Sequence, residues 1–145
     1  MTNPPMTDTQ MTILSGAMDR LVPPIDDLPG AGAMGLAPEV DSLARRHAPY
    51  HHAVVIFIEK LASTWSAGLL PAQQDALLRD LEAADGAAFN AVLELVYLAY
   101  YSEPRVHRRV GWRGGPLQPE GFPLAPFDPA ILQATRQRKP FWRQT

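Results

Sequence analysis

Proline is distributed unevenly along this sequence, and its placement is the strongest constraint on the fold. Residues 50–103 contain one proline, Pro71, whereas residues 104–140 contain seven of the 15 prolines in the chain. Proline lacks a backbone N–H and disfavours helical geometry in the residue before it, so it interrupts a helix everywhere except in the first turn. The sequence therefore predicts long, uninterrupted elements before residue 104 and short, irregular ones after it.

The charge of the chain changes sign at the same place. Residues 1–104 carry 5 Lys/Arg and 13 Asp/Glu, a net charge of −8, and residues 105–145 carry 8 Lys/Arg and 2 Asp/Glu, a net charge of +6. The overall formal charge of −2 thus conceals an acidic part and a basic part. We predict a flexible N-terminus over residues 1–8, a helical body over residues 9–104 and an extended C-terminal arm over residues 105–145.

Apolar residues in the body repeat every three or four positions, as they do on one face of a helix. The run 53–58 is also compatible with a buried strand, and its continuation at helical spacing as far as Trp65 favours a helix. The last helix is expected to be central and covered on most faces, because Leu95 and Leu98 are apolar on the side away from its main stripe. The first predicted helix is capped by Asp8 or Thr9 and ends near Leu21. The others run over 38–47, from Pro49 to Gly68, from Pro71 to the residue before Gly86, and over 87–101. The predicted fold class is all-α, a small domain of four to five helices with an extended Pro/Arg/aromatic-rich C-terminal arm in which only 130–136 is helical.

No catalytic, cofactor-binding or metal-binding residue is predicted in this chain. It has no cysteine, which excludes disulfides, cysteine-ligated iron–sulfur clusters and a cysteine nucleophile. His47 and His51 stand four apart with His52 adjacent, a spacing that can share a metal on one helix, but Pro49 lies between them. Capping or surface histidines are the favoured interpretation, and a small metal enzyme or hydrolase at these residues is the alternative.

A glycine-rich run over residues 30–35, G-A-G-A-M-G, fits the pattern G-x-G-x-x-G of dinucleotide-binding loops. That loop requires a preceding hydrophobic strand and a surrounding βαβ unit. Here the run follows Pro29 and the chain is predicted to be helical. We therefore interpret the run as a turn.

The arm combines arginines with aromatic residues, a composition suited either to nucleic acid or to a protein partner. The sequence pI is about 6.0, and the acidic body would oppose a polyanion. The apolar residues of the arm are too many to leave in water, so the arm is expected to pack on the body or on another chain. A protein partner is the favoured interpretation, and a stand-alone helical nucleic-acid-binding regulator that uses the basic aromatic arm is the alternative.

We expect no targeting signal at the start of the chain or in its apolar runs. The first ten residues are polar and contain no twin arginine, and the apolar runs are short, such as the six residues 53–58. A bilayer-spanning helix needs about 20 apolar residues. We expect a soluble, cytoplasmic protein without a membrane span, which would be periplasmic only if a partner carried it there.

Three regions of the sequence together resemble one protein family, the gluconate 2-dehydrogenase subunit 3 family. The first region is L-V-P-P-I-D-D-L-P-G-A at 21–31, followed by M-G-L at 34–36. The second is Y-Y-S-E-P-R at 100–105, at the end of the late apolar helix. The third is Gly-Trp at 111–112 with Gly-Phe-Pro at 121–123. The resemblance spans roughly residues 10–125.

The resemblance implies a function as an accessory subunit. Members of this family are small, non-catalytic subunits of flavin-dependent sugar, sugar-acid and alcohol dehydrogenases, and they help the large glucose–methanol–choline-type (GMC-type) subunit to fold or stay soluble. FAD is then expected in the large subunit and not in this chain, a cytochrome subunit is a further candidate partner, and nucleic acid is not expected to bind. The family commonly has a Y-G-G-N loop where this sequence has V-H-R-R-V at 106–110. From composition and family likeness, the residues predicted to bind the partner are Tyr100, Tyr101, Pro104, Arg105, Trp112, Phe122, Phe141 and Trp142.

Overall fold

The regular secondary structure of the described residues is helical. The computed structural model describes residues 3–116, 120–123 and 126–138, and these contain no β-strand. Prediction of an all-α fold is therefore confirmed. The helices are α1 (Asp8–Leu21), α2 (Ala37–Arg45), α3 (Ala48–Ala62), α4 (Pro71–Ala84), α5 (Gly86–Ser102), α6 (Pro104–Arg109), a 3₁₀-helix (Pro129–Leu132) and α7 (Gln133–Arg136).

Helix boundaries follow local signals in the sequence. Pro38, Pro49 and Pro71 lie in the first turn of α2, α3 and α4, where the missing N–H of proline costs nothing. The N-cap of α1 is Thr7, not Asp8 or Thr9: its Oγ1 accepts from the Gln10 N–H at 3.3 Å, and the Thr7 N–H donates to Gln10 Oε1 at 2.9 Å. This reciprocal pair is a capping box.

The body is organised around α3 and α5. These two helices pack against each other and against α2 and α4, while α1 contacts α2, α3 and α4. The rings of Phe57 on α3 and Phe89 on α5 are 6.2 Å apart at the centre of the buried cluster. Helix α3 ends at Ala62, before the predicted Gly68, and Trp65 follows it to lie against Gly16 of α1.

Polar contacts between helices add to those of the apolar core. Arg20 on α1 donates from Nε and Nη2 to the two carboxylate oxygens of Asp75 on α4, at 2.7 and 2.9 Å. Asp41 on α2 is a buried carboxylate that accepts from Arg45 Nε at 3.0 Å and from the Met6 N–H at 3.4 Å. The second contact joins the residues before α1 to α2.

Helix α6 was not predicted from the sequence. Pro104 ends α5, as expected, but it also stands in the first turn of a further six-residue helix whose N-cap is Glu103. The side chain of Val106 is buried in the core of the body. The arginine-rich residues 105–109, predicted to begin the arm, thus include a helix that packs on α5.

The chain divides into two compact units, Met1–Arg113 and Gly114–Thr145. The second unit contains the 3₁₀-helix and α7, close to the helix predicted over 130–136, and Asp128 caps it by accepting from the Ala130 N–H at 2.8 Å. Among the described residues, no helix is both long enough and apolar enough to cross a bilayer.

Candidate partner-binding surface

The segment between α1 and α2 is a closed loop that is built into the core. Ile25 and Leu28 exchange backbone hydrogen bonds of 3.0 and 2.9 Å, which places Asp26 and Asp27 at the tip of a tight turn. The Ala31 N–H returns to the Val22 carbonyl at 3.0 Å and closes the loop. Four apolar side chains of the loop are buried: Leu28, Ala31, Met34 and Leu36. The loop is therefore a rigid platform and not a mobile connection.

Glycines in this loop allow it to touch the backbone of α1. A Cβ at Gly32 would stand 1.9 Å from the Ser15 carbonyl oxygen, and a Cβ at Gly30 would stand 2.3 Å from Asp19 Oδ1. Asp19 Oδ1 also accepts from the Ala33 N–H at 2.9 Å. Gly30 and Gly32 thus lie directly against α1. A dinucleotide-binding loop needs the backbone of its glycines to face the pyrophosphate, so the run G-A-G-A-M-G does not fit that role here.

Arg105 joins the start of α6 to this loop. Its Nη2 donates to the Met34 carbonyl at 3.1 Å, and its Nε donates to Glu103 Oε1 at 2.7 Å. The backbone N–H of Arg105 donates to the same oxygen at 3.3 Å, so Glu103 both caps α6 and orients the guanidinium. Further along α6, Arg109 pairs with Asp26, and its Nη1 is 3.9 Å from Asp27 Oδ1.

Glu103 gives this junction an expected sensitivity to acid. Hydrogen bonding from Arg105 lowers the pKa of Glu103 below its ordinary value of 4.5. A carboxyl with a lowered folded-state pKa stabilises the fold above its unfolded pKa, and that contribution is lost as pH falls through the folded pKa. The urea midpoint should therefore fall as pH drops below 4.5, and Glu103→Gln should flatten this fall.

The measurement is urea denaturation of the wild-type chain and of Glu103→Gln at a series of pH values. Glu82→Gln, at an exposed carboxyl of α4, is the matched control and should keep the wild-type slope. Equal slopes for all three chains would contradict a role for Glu103 in the acid response.

A line of aromatic side chains runs from α5 to the end of α6. The rings of Tyr97 and Tyr101 are 6.1 Å apart, His107 Nε2 is hydrogen-bonded to the Tyr101 carbonyl, and the His107 and Trp112 rings are 4.3 Å apart in an edge-to-face arrangement. With Leu98, these residues form what we call the aromatic surface: Tyr97, Leu98, Tyr101, His107 and Trp112. The exposed fractions are 43% for Tyr97, 48% for Leu98, 58% for Tyr101 and 42% for Trp112.

A shallow, open depression of about 470 Å³ lies along the exposed face of α5, and all of its lining residues belong to this one helix. Tyr97, Leu98 and Tyr101 line it, and Glu94 is its one charged lining residue. The sequence predicted α5 to be covered on most faces, but the face that carries Leu98 is exposed, whereas Leu95 is buried. A contiguous exposed patch of this kind is typical of an interaction site.

The predicted partner-binding residues divide into three groups. Tyr101, Pro104, Arg105 and Trp112 lie at the junction of α5 and α6 with at least partly exposed side chains. Tyr100 is 7% exposed and belongs to the core of this chain. Phe122 is exposed in the second unit, and Phe141 and Trp142 lie outside the described residues.

Three members of the aromatic surface were not among the predicted residues: Tyr97, Leu98 and His107. The spacing of Tyr97 and Tyr101, four apart on one helix, could have indicated the first of them. His107 could not have been found from the sequence, because its contacts require α6 to fold back on α5. Of the other histidines, His47 is the exposed N-cap of α3, and the described residues contain no cluster of three or more His, Asp or Glu that could hold a metal ion.

Comparisons with protein-family models, with curated proteins and with solved structures gave no match to this chain. The resemblance to the gluconate 2-dehydrogenase subunit 3 family therefore stays a prediction from the sequence. The geometry at the α5–α6 junction is independent of that resemblance, because it rests on the contacts of the described residues alone.

Proposed function

We propose that this chain is the non-catalytic small subunit of a flavin-dependent, GMC-type oxidoreductase that acts on a sugar, a sugar acid or an alcohol. In this proposal it binds the large catalytic subunit and promotes the folding, stability or solubility of that subunit. FAD and the catalytic groups belong to the large subunit. The observation that carries the proposal is the exposed aromatic surface at the junction of α5 and α6.

Two of the stretches that carry the resemblance, residues 21–36 and 100–105, contact each other beside this surface. Arg105 contacts the carbonyl of Met34, Arg109 pairs with Asp26, and Trp112 packs on His107. Two stretches that are far apart in the sequence are thus joined at α6, the helix that also carries His107 of the aromatic surface.

The composition of the surface favours a protein over a nucleic acid. Exposed tyrosine, tryptophan and arginine are the residue types that contribute most to protein–protein binding. A nucleic-acid site would need free cations along the phosphate backbone. On α6, however, Arg105 is paired with Glu103 and Arg109 with Asp26, so part of the positive charge of this helix is already neutralised within the chain.

Binding to the folded large subunit would stabilise it by mass action. A partner present at 100 times its dissociation constant stabilises the protein that it binds by about 2.7 kcal/mol. Changes of 1–2 kcal/mol alter the cellular abundance of a protein by about several-fold. By binding alone, and without catalysing a reaction, an accessory subunit can therefore raise the amount of active enzyme in the cell.

Co-expression tests the proposal. A GMC-type flavoprotein from the same genome is produced with the wild-type chain or with a frame-shifted copy of its coding sequence. We expect the wild-type chain to raise the soluble yield of the flavoprotein about fivefold or more, and to co-purify with it. Yield, flavin absorbance per flavoprotein and dehydrogenase activity are measured. Equal values with and without the chain would contradict the proposal.

A further inference from the structure

An open cleft of about 980 Å³ lies between α1 and the connection from α3 to α4. One wall is α1, and the other is formed by Ala62 at the end of α3, by residues 65–67 and by Gln74 of α4. Side chains from three helices and one loop thus converge on this cleft, whereas the depression on α5 is lined by a single helix. Its volume is that of a site for a small ligand.

A stripe of hydrogen-bond acceptors on α1 lines the cleft. Positions 8, 12, 15 and 19 are separated by steps of four, three and four residues, so they share one side of the helix. They carry Asp8, Thr12, Ser15 and Asp19. The hydroxyl proton of Thr12 is already used, because Thr12 Oγ1 donates to the Asp8 carbonyl at 2.9 Å. That hydroxyl can therefore only accept a hydrogen bond from a ligand.

The unpaired charge of the cleft is negative. Arg20 is the one cation among the described residues that line it, and it donates to both carboxylate oxygens of Asp75, at 2.7 and 2.9 Å. These two opposite charges cancel, which leaves the charges of Asp8 and Asp19. Asp19 Oδ1 accepts from the Ala33 N–H at 2.9 Å, and Oδ2 has no hydrogen-bond donor within the described part of the chain. The cleft therefore attracts a cation and repels an anion.

Trp65 adds an aromatic ring between the two carboxylates. Its indole lies against Gly16 of α1, where a Cβ would stand 3.0 Å from Nε1, so the absence of a side chain at Gly16 allows this approach. Gly16 is eight residues from Asp8 and three from Asp19 along the helix. The indole is partly exposed, and tryptophan is the aromatic side chain that attracts an ammonium group most strongly.

We propose that this cleft binds a linear polyamine, with one ammonium group at Asp8, another at Asp19 and the chain between them against Trp65. The two carboxylates are eleven residues apart, a rise of about 16 Å along α1. An extended tetra-amine spans that distance, and a short diamine does not. The inner ammonium groups of a tetra-amine supply donors for the hydroxyl oxygens of Thr12 and Ser15. The site is independent of the accessory function, because none of its residues belongs to the aromatic surface.

Isothermal titration calorimetry of the full chain with spermine, a linear tetra-amine, tests this assignment. At low ionic strength we expect one site, which Asp8→Asn and Asp19→Asn each weaken about threefold to fivefold, the effect of one exposed ion pair. Asparagine at position 19 keeps an acceptor for the Ala33 N–H. Asp80→Asn removes the same charge at an exposed carboxyl of α4 outside the cleft, and should leave the affinity unchanged. 1,4-Diaminobutane reaches only one carboxylate and should bind at least about threefold more weakly than spermine.

The indole N–H of Trp65 reports where the ligand binds. Its signal in a ¹H–¹⁵N correlation spectrum is identified by its loss in Trp65→Phe. We expect spermine to shift this signal and to saturate the shift at the concentration found by calorimetry. The indole signal of Trp112, which lies after α6 and outside the cleft, should stay in place.

Three results would overturn the proposal. The first is the absence of heat and of a shift at Trp65 with spermine. The second is an equal loss of affinity in Asp8→Asn and Asp80→Asn, which would show a diffuse attraction to the acidic body. The third is an equal shift of the Trp65 signal with sorbitol, a neutral chain of hydroxyl groups, which would assign the cleft to a polyol. None of these results bears on the co-expression of the flavoprotein, so the two proposals fail separately.

Discussion

Replacing Gly32 by alanine is expected to lower the free energy of unfolding by at least about 3 kcal/mol. The new Cβ would stand 1.9 Å from the Ser15 carbonyl oxygen and 2.7 Å from the Ser15 carbonyl carbon, and a distance of 3.4 Å is needed for ordinary contact. These are backbone atoms of α1, between the buried residues Leu14 and Ala17, so no side chain can rotate to relieve the overlap. The loop would have to leave α1 and withdraw its own buried side chains from the core.

Gly86→Ala is the matched control for this substitution. Gly86 is the first residue of α5, and a Cβ there would meet nothing within 4 Å. Alanine should therefore be neutral or stabilise by about 0.5 kcal/mol, since it reduces the entropy of the unfolded chain. Urea denaturation at constant pH measures both variants. A Gly32→Ala chain with a midpoint and slope equal to those of Gly86→Ala would show that the loop does not dock on α1 as described.

The sequence alone predicted those features that depend on neighbouring residues. The starts of α2, α3 and α4 follow from prolines in their first turns, and the end of α1 follows from Pro23 and Pro24. These signals act within one turn of backbone and need no tertiary contact. The all-α fold and the position of the helix in the second unit could be predicted from the sequence for the same reason.

Features that depend on contacts between distant segments could not be predicted from the sequence. The pattern of Gly30 and Gly32 resembles a phosphate loop, and only the proximity of Ser15 and Asp19 shows that α1 occupies that space. Helix α6 is too short for its periodicity to be recognised. Its N-cap, Glu103, is also the C-cap of α5, so the sequence there indicates the end of one helix as well as the start of another.

The aromatic surface was predicted only in part from the sequence. Tyr101, Arg105 and Trp112 were predicted from composition and family likeness, but Tyr100, the neighbour of Tyr101, is buried. A helix that is apolar on all sides does not reveal from its sequence which side faces solvent, because periodicity requires a polar face for contrast. For this reason Leu95 and Leu98 could not be told apart until the packing of α5 against α3 and α2 was known.

Replacing Val106 by aspartate is expected to detach α6 from the body, whereas the same change at Val110 is not. Val106 is 2% exposed, and Val110, four residues later, is 63% exposed, so the two substitutions introduce the same charge into opposite environments. A buried unpaired carboxylate costs several kcal/mol, and α6 can avoid that cost by leaving the core. Detachment would also separate His107 from Tyr101 and remove the end of the aromatic surface that carries Trp112.

Hydrogen exchange measured by mass spectrometry on peptides that span 104–112 reports this detachment directly. The Val110 N–H donates to the Val106 carbonyl at 3.0 Å, and the Trp112 N–H donates to the His107 carbonyl at 2.9 Å, so both amides are protected only while α6 is formed. Val106→Asp should accelerate their exchange about 100-fold or more, which corresponds to about 2.8 kcal/mol, and Val110→Asp should change it less than about threefold, as expected for a surface position. Equal exchange in the two variants would mean that Val106 does not hold α6 in place, and the aromatic surface would then lose the anchor that joins its α5 and α6 parts.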